Sequence, residues 1–211
     1  MDVSNPMADV VPSAHGPVLD VLASTSTPLT GRAIAELTRP RVSQPRVAQI
    51  LAKLAETGLV DRTPAGAASL FSLNRDHVAA SAVEALASLR QQLWSRIAEH
   101  AGAWANPPDG VVVYGSAARG DGSTASDIDL LVIRPADVDA DDADWNANVT
   151  DLAASVTRWC GNPCEILDRS GEELQVMAAA GEPLLSAIRR DGRAIVGSMT
   201  PIPAGVSETR N

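Results

Sequence analysis

Asp127 and Asp129, two aspartates with one residue between them, are the side chains best suited to chemistry in this sequence. They stand in Ser126-Asp127-Ile128-Asp129, at the start of an apolar run that continues to Ile133. In an extended strand, residues i and i+2 face the same way. Both carboxylates are therefore expected on one face of a strand that contains them, with Ile128 buried on the other. Two like charges so close repel, and each resists ionising. A divalent cation removes that conflict. Hard oxygen ligands suit Mg²⁺, or Mn²⁺ in its place, and Mg²⁺ commonly takes a few carboxylates together with substrate phosphate. Two ions held this way would activate an attacking oxygen and stabilise a leaving pyrophosphate.

The residues just upstream fit the same chemistry. Val111-Val112-Val113-Tyr114 reads as a buried strand, and Gly115-Ser116 follows it. Gly115 permits a sharp turn and a close approach of backbone to a ligand. Ser116 offers a hydroxyl where a short helix would begin, and unpaired N–H groups at such a point form a phosphate cradle. Arg119 adds a bidentate phosphate donor. A third carboxylate would complete the site. Glu165 and Asp168, in Pro163 to Asp168, are the candidates and face opposite ways. Glu165 is preferred because a mid-strand position is better fixed by its neighbours; Asp168 remains the alternative. Alone, Gly-Ser and Ser-Asp would be ordinary turn chemistry.

The elements that must position these groups read as an α+β chain. Residues 1–14 and 199–211 are aperiodic and are expected to be disordered tails. Residues 15–75 read as three helices and a hairpin. Val18, Leu19 and Leu22 mark the first helix. Thr30 can cap the second, which holds Ile34, Ala35 and Leu37. Arg39-Pro40-Arg41 breaks it. Ser43 caps the third, with Val47, Ile50, Leu51, Leu54 and Ala55 on one face, and Gly58 ends it. The hairpin turns at Ala65-Gly66. Residues 76–105 read as one connecting amphipathic helix carrying Val83, Leu86, Leu89, Leu93 and Ile97. Residues 106–198 hold the motif strands, an acidic loop from Pro135 to Asp144, a helix from about Trp145 to Trp159, a strand from Pro163 to Leu167, a helix entered by a Ser170–Glu173 capping box, and a last helix from Pro183 to Arg190.

Charge divides the chain in the same way. Residues 15–75 carry seven Lys/Arg against four Asp/Glu, whereas 76–211 carry ten against twenty, within a formal net charge of −9. A mildly basic block joined to an acidic one suggests two domains with different partners. No apolar run reaches membrane-spanning length, and the first residues lack the pattern of a signal peptide. With two cysteines, Cys160 and Cys164, and no nearby His, the expectation is a cytoplasmic protein with reduced structural thiols and no zinc site.

The stretch from Val111 to Ile133 resembles the nucleotidyltransferase superfamily of DNA polymerase beta type, most closely its minimal nucleotidyltransferase branch. Gly115, Ser116, Arg119, Gly120, Asp127 and Asp129 match that pattern as they stand. Glu165 matches the place of the third acid, where Asp is commoner. The resemblance covers about residues 80 to 198. It implies a mixed-sheet nucleotidyltransferase domain that uses Mg²⁺ and moves a nucleotidyl group, typically AMP from ATP or another NTP, to an acceptor hydroxyl. Asp127, Asp129 and Glu165 would hold the metal; Gly115, Ser116 and Arg119 would hold the nucleotide.

Residues 15–75 resemble a winged helix-turn-helix of bacterial transcription regulators, through Leu29 to Leu37, Ser43 to Gly58, and Gly58-Leu59-Val60 entering the wing. That implies a third helix in the DNA major groove. Gln44 and Arg46 would face bases or phosphates, and Arg32, Arg39, Arg41 and Arg62 would neutralise phosphates. Docking a protein, homodimer formation and holding tRNA are the other uses of such a module. The fusion looks like a bacterial architecture tied to regulation or toxin–antitoxin systems, whose members can modify a cognate toxin. The toxin's own motif is an Arg, four to six residues, then His. Arg96 and His100 have three residues between them, so no toxin is read here. The other reading of the chain is a DNA-binding regulator or antitoxin whose nucleotidyltransferase domain only binds nucleotide.

Overall fold

The computed structural model describes residues 1–203; the rest of the segment read as a C-terminal tail, 204–211, lies outside the described residues. The chain divides into two compact units, with the boundary between Arg90 and Gln91.

The first unit, Ser4–Arg90, runs α1 (Pro6–Val10), α2 (His15–Ala23), β1 (Leu29–Thr30), α3 (Gly31–Leu37), α4 (Gln44–Glu56), β2 (Val60–Ala65), β3 (Ala68–Leu73) and α5 (Ala80–Ala87). Local chemistry sets most of these limits. The Thr30 hydroxyl accepts from the Ala33 N–H and caps α3, a contact worth about 1 kcal/mol. Ser43 stands at the N-cap of α4 without a side-chain bond, and Pro45 occupies the first turn, where its missing N–H costs nothing. Gly58, at φ +78°, turns the chain out of α4 in a conformation that favours glycine. The apolar face of α4 is buried through Val47, Ile50, Leu51 and Leu54, the three- and four-residue spacing of one helix side. It packs with Val18, Leu22, Ile34, Val60 and Leu73. β2 and β3 pair antiparallel around Gly66, and β1 joins the other edge of β3, giving the order β1-β3-β2.

Two expectations for this region change. Residues 6–10, inside the segment read as a tail, form α1, and Met7 is buried against the helices. The stretch read as one connecting helix is two, α5 and α6 (Leu89–Gly102), broken at Ser88. The Ser88 hydroxyl donates to the Ala85 carbonyl. Such back-bonding competes with helix continuation.

The second unit holds α6 from Gln91 onward, then β4 (Gly110–Tyr114), α7 (Gly115–Arg119), β5 (Ile128–Arg134), α8 (Ala143–Cys160), β6 (Cys164–Ser170), α9 (Gly171–Ala179), α10 (Pro183–Asp191) and β7 (Arg193–Val196). Its sheet is mixed, in the order β6-β5-β4-β7. β4 runs antiparallel to β5 and β7, and β5 runs parallel to β6. A parallel pair needs a long crossover, which α8 supplies. Alternation along the strands separates two cores. Val111, Val113, Ile128, Leu130 and Val132 pack with α6 and α8. Val112, Leu131 and Ile133 pack with Leu174, Leu185 and Ile188 of α9 and α10.

The capping box of α9 forms as its sequence predicts: Ser170 Oγ accepts from the Glu173 N–H, and Glu173 accepts from the Ser170 N–H. β6 extends three residues past the expected Leu167. Ile202, within the stretch read as tail, is fully buried, and its carbonyl accepts from the Arg189 guanidinium.

Candidate active site

Tyr114 ends β4, and Gly115 starts α7 at φ +66°. A Cβ at Gly115 would overlap Oδ2 of Asp129. The backbone conformation favours glycine, and a side chain here would have to displace the Asp129 carboxylate. Asp129 reaches this place through register. It pairs with Tyr114 on one side and with Glu165 on the other. Paired residues on neighbouring strands share a face, so Asp129 and Glu165 stand side by side. By alternation this is the Leu131 face, at the end of the sheet where α7 begins.

Asp127 is exposed and lies one residue before β5, which starts at Ile128, so the strand does not contain both aspartates as expected. The backbone nevertheless brings their charges together. Burial pushes the Asp129 carboxyl above the usual aspartate range, the charges of Asp127 and Glu165 push it further, and Arg119 opposes them. Burial and then the charges of Asp129 and Glu165 raise the Tyr114 hydroxyl. Burial pushes the Cys164 thiol, behind the acids, up to about 12, with Cys160, Asp129 and Glu165 adding to the shift. Cys160 and Cys164 are free thiols.

Arg119 ends α7, and its Nε donates to Asp121 Oδ2 at 3.0 Å. Its guanidinium also lies 3.9 Å from Asp191 Oδ2 at the end of α10. Asp191 in turn accepts from Nε and Nη2 of Arg190. Arg119 thus sits beside the acids with its charge partly engaged by aspartates that the motif does not include.

Asp168 is held elsewhere. Its Oδ2 accepts from Arg134 at 2.6 Å and from the Trp145 indole at 3.0 Å. Arg134 is buried and also donates to Glu173 at 2.7 Å. Asp168 is three residues beyond Glu165 on β6 and so faces the opposite side. It belongs to a structural ion pair, whereas Glu165 faces Asp129.

Among the described residues, no three His, Cys, Asp or Glu side chains form a ready-made metal cluster. The donors still fit Mg²⁺: Asp129 is half-buried among two further carboxylates, opposed by Arg119. Mg²⁺ is commonly held by one or two carboxylates and completed by substrate phosphate. Asp127, Asp129 and Glu165 would hold it.

In the first unit, a groove of about 550 Å³ is lined by Arg32, Glu36, Arg41, Ser43 and Gln44 between α3 and the start of α4. Arg32 pairs with Glu36 at 3.0 Å, Arg46 donates to Gln49 at 3.2 Å, and Arg62 donates to Ser69 at 3.0 Å. Arg39 turns back onto the carbonyls of Glu36 and Thr38.

No helix among the described residues is long and apolar enough to cross a membrane. None of the curated proteins matches the chain. A solved toxin–antitoxin crystal structure with AMP-PNP is similar at 18% identity, covering 52% of this chain and 75% of the other, with a TM-score of 0.35. The archaeal chromatin protein TrmBL2, whose structure shows a novel mode of DNA binding, is similar at 14% identity, covering 89% of this chain and 78% of the other, with a TM-score of 0.31. Residues 93–171 match the model of the nucleotidyltransferase domain. That segment contains Gly115, Ser116, Arg119, Asp127, Asp129 and Glu165, and the match supports an enzyme that transfers nucleotidyl groups.

Proposed function

We propose that the chain moves a nucleotidyl group from an NTP, AMP where the donor is ATP, to an acceptor hydroxyl on a protein, with Mg²⁺. The observation that carries this reading is the register that sets Asp129 beside Glu165, against the glycine that opens α7. Asp127, Asp129 and Glu165 would hold the cation. Bound there, it would neutralise the triphosphate and the departing pyrophosphate. Gly115 lets the backbone approach the phosphates, the Ser116 hydroxyl and first-turn N–H groups receive them, and Arg119 pairs with them once released from Asp121. The acceptor oxygen attacks the α-phosphorus and forms the new O–P bond. The bond to the β-phosphate oxygen breaks, and pyrophosphate leaves with the electron pair. Glu165 takes the acceptor's proton. The test is to incubate the full chain with Mg²⁺, host lysate and ATP labelled at either the α- or the γ-phosphate. Label from the α-position alone should pass to a macromolecule.

The first unit supports a DNA-binding role. Within it α2, β1, α3, α4, β2 and β3 follow one another with the sheet order β1-β3-β2, which would fit a winged helix-turn-helix. Arg41 and Gln44 stand at the entry to α4, the helix that would enter the major groove; Arg32 lines the same groove, Arg46 lies in the first turn of α4 and Arg62 on β2. In the second reading, favoured by this arginine-lined groove, the chain is a regulator or antitoxin whose second unit senses nucleotide. A promoter footprint that shifts with ATP, without label transfer, would select it.

A further inference from the structure

Asn162 is a polar side chain only 1% exposed, in the turn between α8 and β6. Its Nδ2 donates to the carbonyl of Ser126 at 2.9 Å and to that of Thr124 at 3.3 Å. Its Oδ1 accepts from the amine of Met1 at 2.9 Å. The amide orientation is fixed by this network, since the reverse would set oxygen against two carbonyl oxygens. The next residue completes a grip on the chain. The N–H of Ile128 donates to the carbonyl of Pro163 at 2.8 Å. Asp127 is therefore bracketed: the carbonyl before it is held by Asn162, and the N–H after it by Pro163. The strap itself is closed by serines. Ser126 Oγ accepts from the Ser123 N–H at 2.9 Å, and the Ser126 N–H donates to the Ser123 carbonyl at 3.0 Å.

We infer that Asn162 is a positioning residue for the active site, fixing through its two amide hydrogens the strap that presents Asp127 beside Asp129. The inference rests on the proposed transferase reading. Asp127 lies outside β5 and is exposed, so strand pairing does not hold it. A carboxylate that must meet a cation with small positional error needs support from the shell behind it. Asn162 supplies that support from a different element, and no other short side chain carries two hydrogens on one nitrogen.

The test uses the full chain with Mn²⁺ and a non-hydrolysable ATP analogue, following free Mn²⁺ by its paramagnetic resonance. Asn162→Ala and Asn162→Asp should weaken Mn²⁺ binding by roughly 10-fold and speed hydrogen exchange at the amides of residues 124–128. Trp145→Phe, which removes the indole bond to Asp168, serves as a control. It should lower the melting temperature and leave both readouts unchanged. Should both Asn162 variants fail to fold, Asn162→Ser, which retains one donor, should give an intermediate loss. Wild-type Mn²⁺ affinity in folded Asn162 variants would overturn the inference, as would an equal loss in Trp145→Phe. If the wild-type chain itself shows no saturable Mn²⁺ binding, the transferase reading fails first and takes this inference with it.

Discussion

Gly115 and Asp129 share one space: the position a Cβ would take on the glycine is filled by Oδ2 of the aspartate. The turn that opens α7 and the Asp129 carboxylate are thereby in close contact. Gly115→Ala adds strain at φ +66° and displaces the carboxylate. It should cost about 1–3 kcal/mol of stability and lower nucleotidyl transfer by about 100-fold or more, on the scale of a catalytic group misplaced by an ångström. Melting curves and label transfer, measured on the same preparation, check both.

The two candidate third acids should separate by phenotype. Glu165→Gln removes an exposed carboxylate beside Asp129. It should abolish transfer with little change in melting. Asp168→Asn breaks an ion pair in which Arg134 is nearly buried. Removing one partner of such a pair costs on the order of 3–5 kcal/mol, so this variant should melt early. Denaturant titration of the two variants distinguishes them, and equal destabilisation would contradict these assignments.

Glu173 gives a pH dependence with a defined sign. The Ser170 N–H, first, and then the Arg134 charge hold its carboxyl below the usual glutamate range, while partial burial works against them. A folded-state pKa that is depressed contributes stability present above the unfolded value and lost as pH falls through the folded one. Wild-type stability should therefore decline as pH drops below the ordinary glutamate range. Glu173→Gln should be less stable at neutral pH and flatter across that window. Thermal melts of both proteins between neutral and acid pH test this.

Much of this arrangement could be read from residue types. Alternation alone set Glu165 and Asp168 on opposite faces, and the Ser170–Glu173 pair and Gly58 marked their helix ends. What escaped was non-local. The side-by-side placement of Asp129 and Glu165 depends on β5 pairing parallel with β6 across an 18-residue helix, and no local spacing encodes that partner. Strands of two and four residues, β1 and β7, are too short for a period to show. Met7 and Ile202 stand in short segments without a helix or strand period, and only tertiary packing buries them. Asn162 gave no signal because its partners are backbone carbonyls, which any sequence supplies. Arg134 follows the apolar run that ends at Ile133 and has no partner nearby in sequence; its acids lie 34 and 39 residues away.

The first unit makes a prediction of its own. If Arg41 and Arg46 contact phosphates, Arg41→Ala with Arg46→Ala should weaken binding to all duplexes alike. The slope of log affinity against log salt should fall by about 2, near 0.9 per contact. Gln44→Ala should instead alter sequence preference, at a cost of roughly 1–3 kcal/mol for one base contact. Fluorescence anisotropy across a salt series measures both, and a salt-insensitive signal would count against DNA as the partner.

Nucleotidyl transfer through the carboxylates beside Gly115 is the reaction on which the proposed function rests. It is tested most directly by transfer of label from α-labelled ATP in Mg²⁺, comparing the wild-type chain with Asp127→Asn combined with Asp129→Asn. The wild-type chain should label an acceptor and release pyrophosphate, and the double variant, folded and equally soluble, should do neither. Labelling that persists undiminished in the double variant would contradict the account.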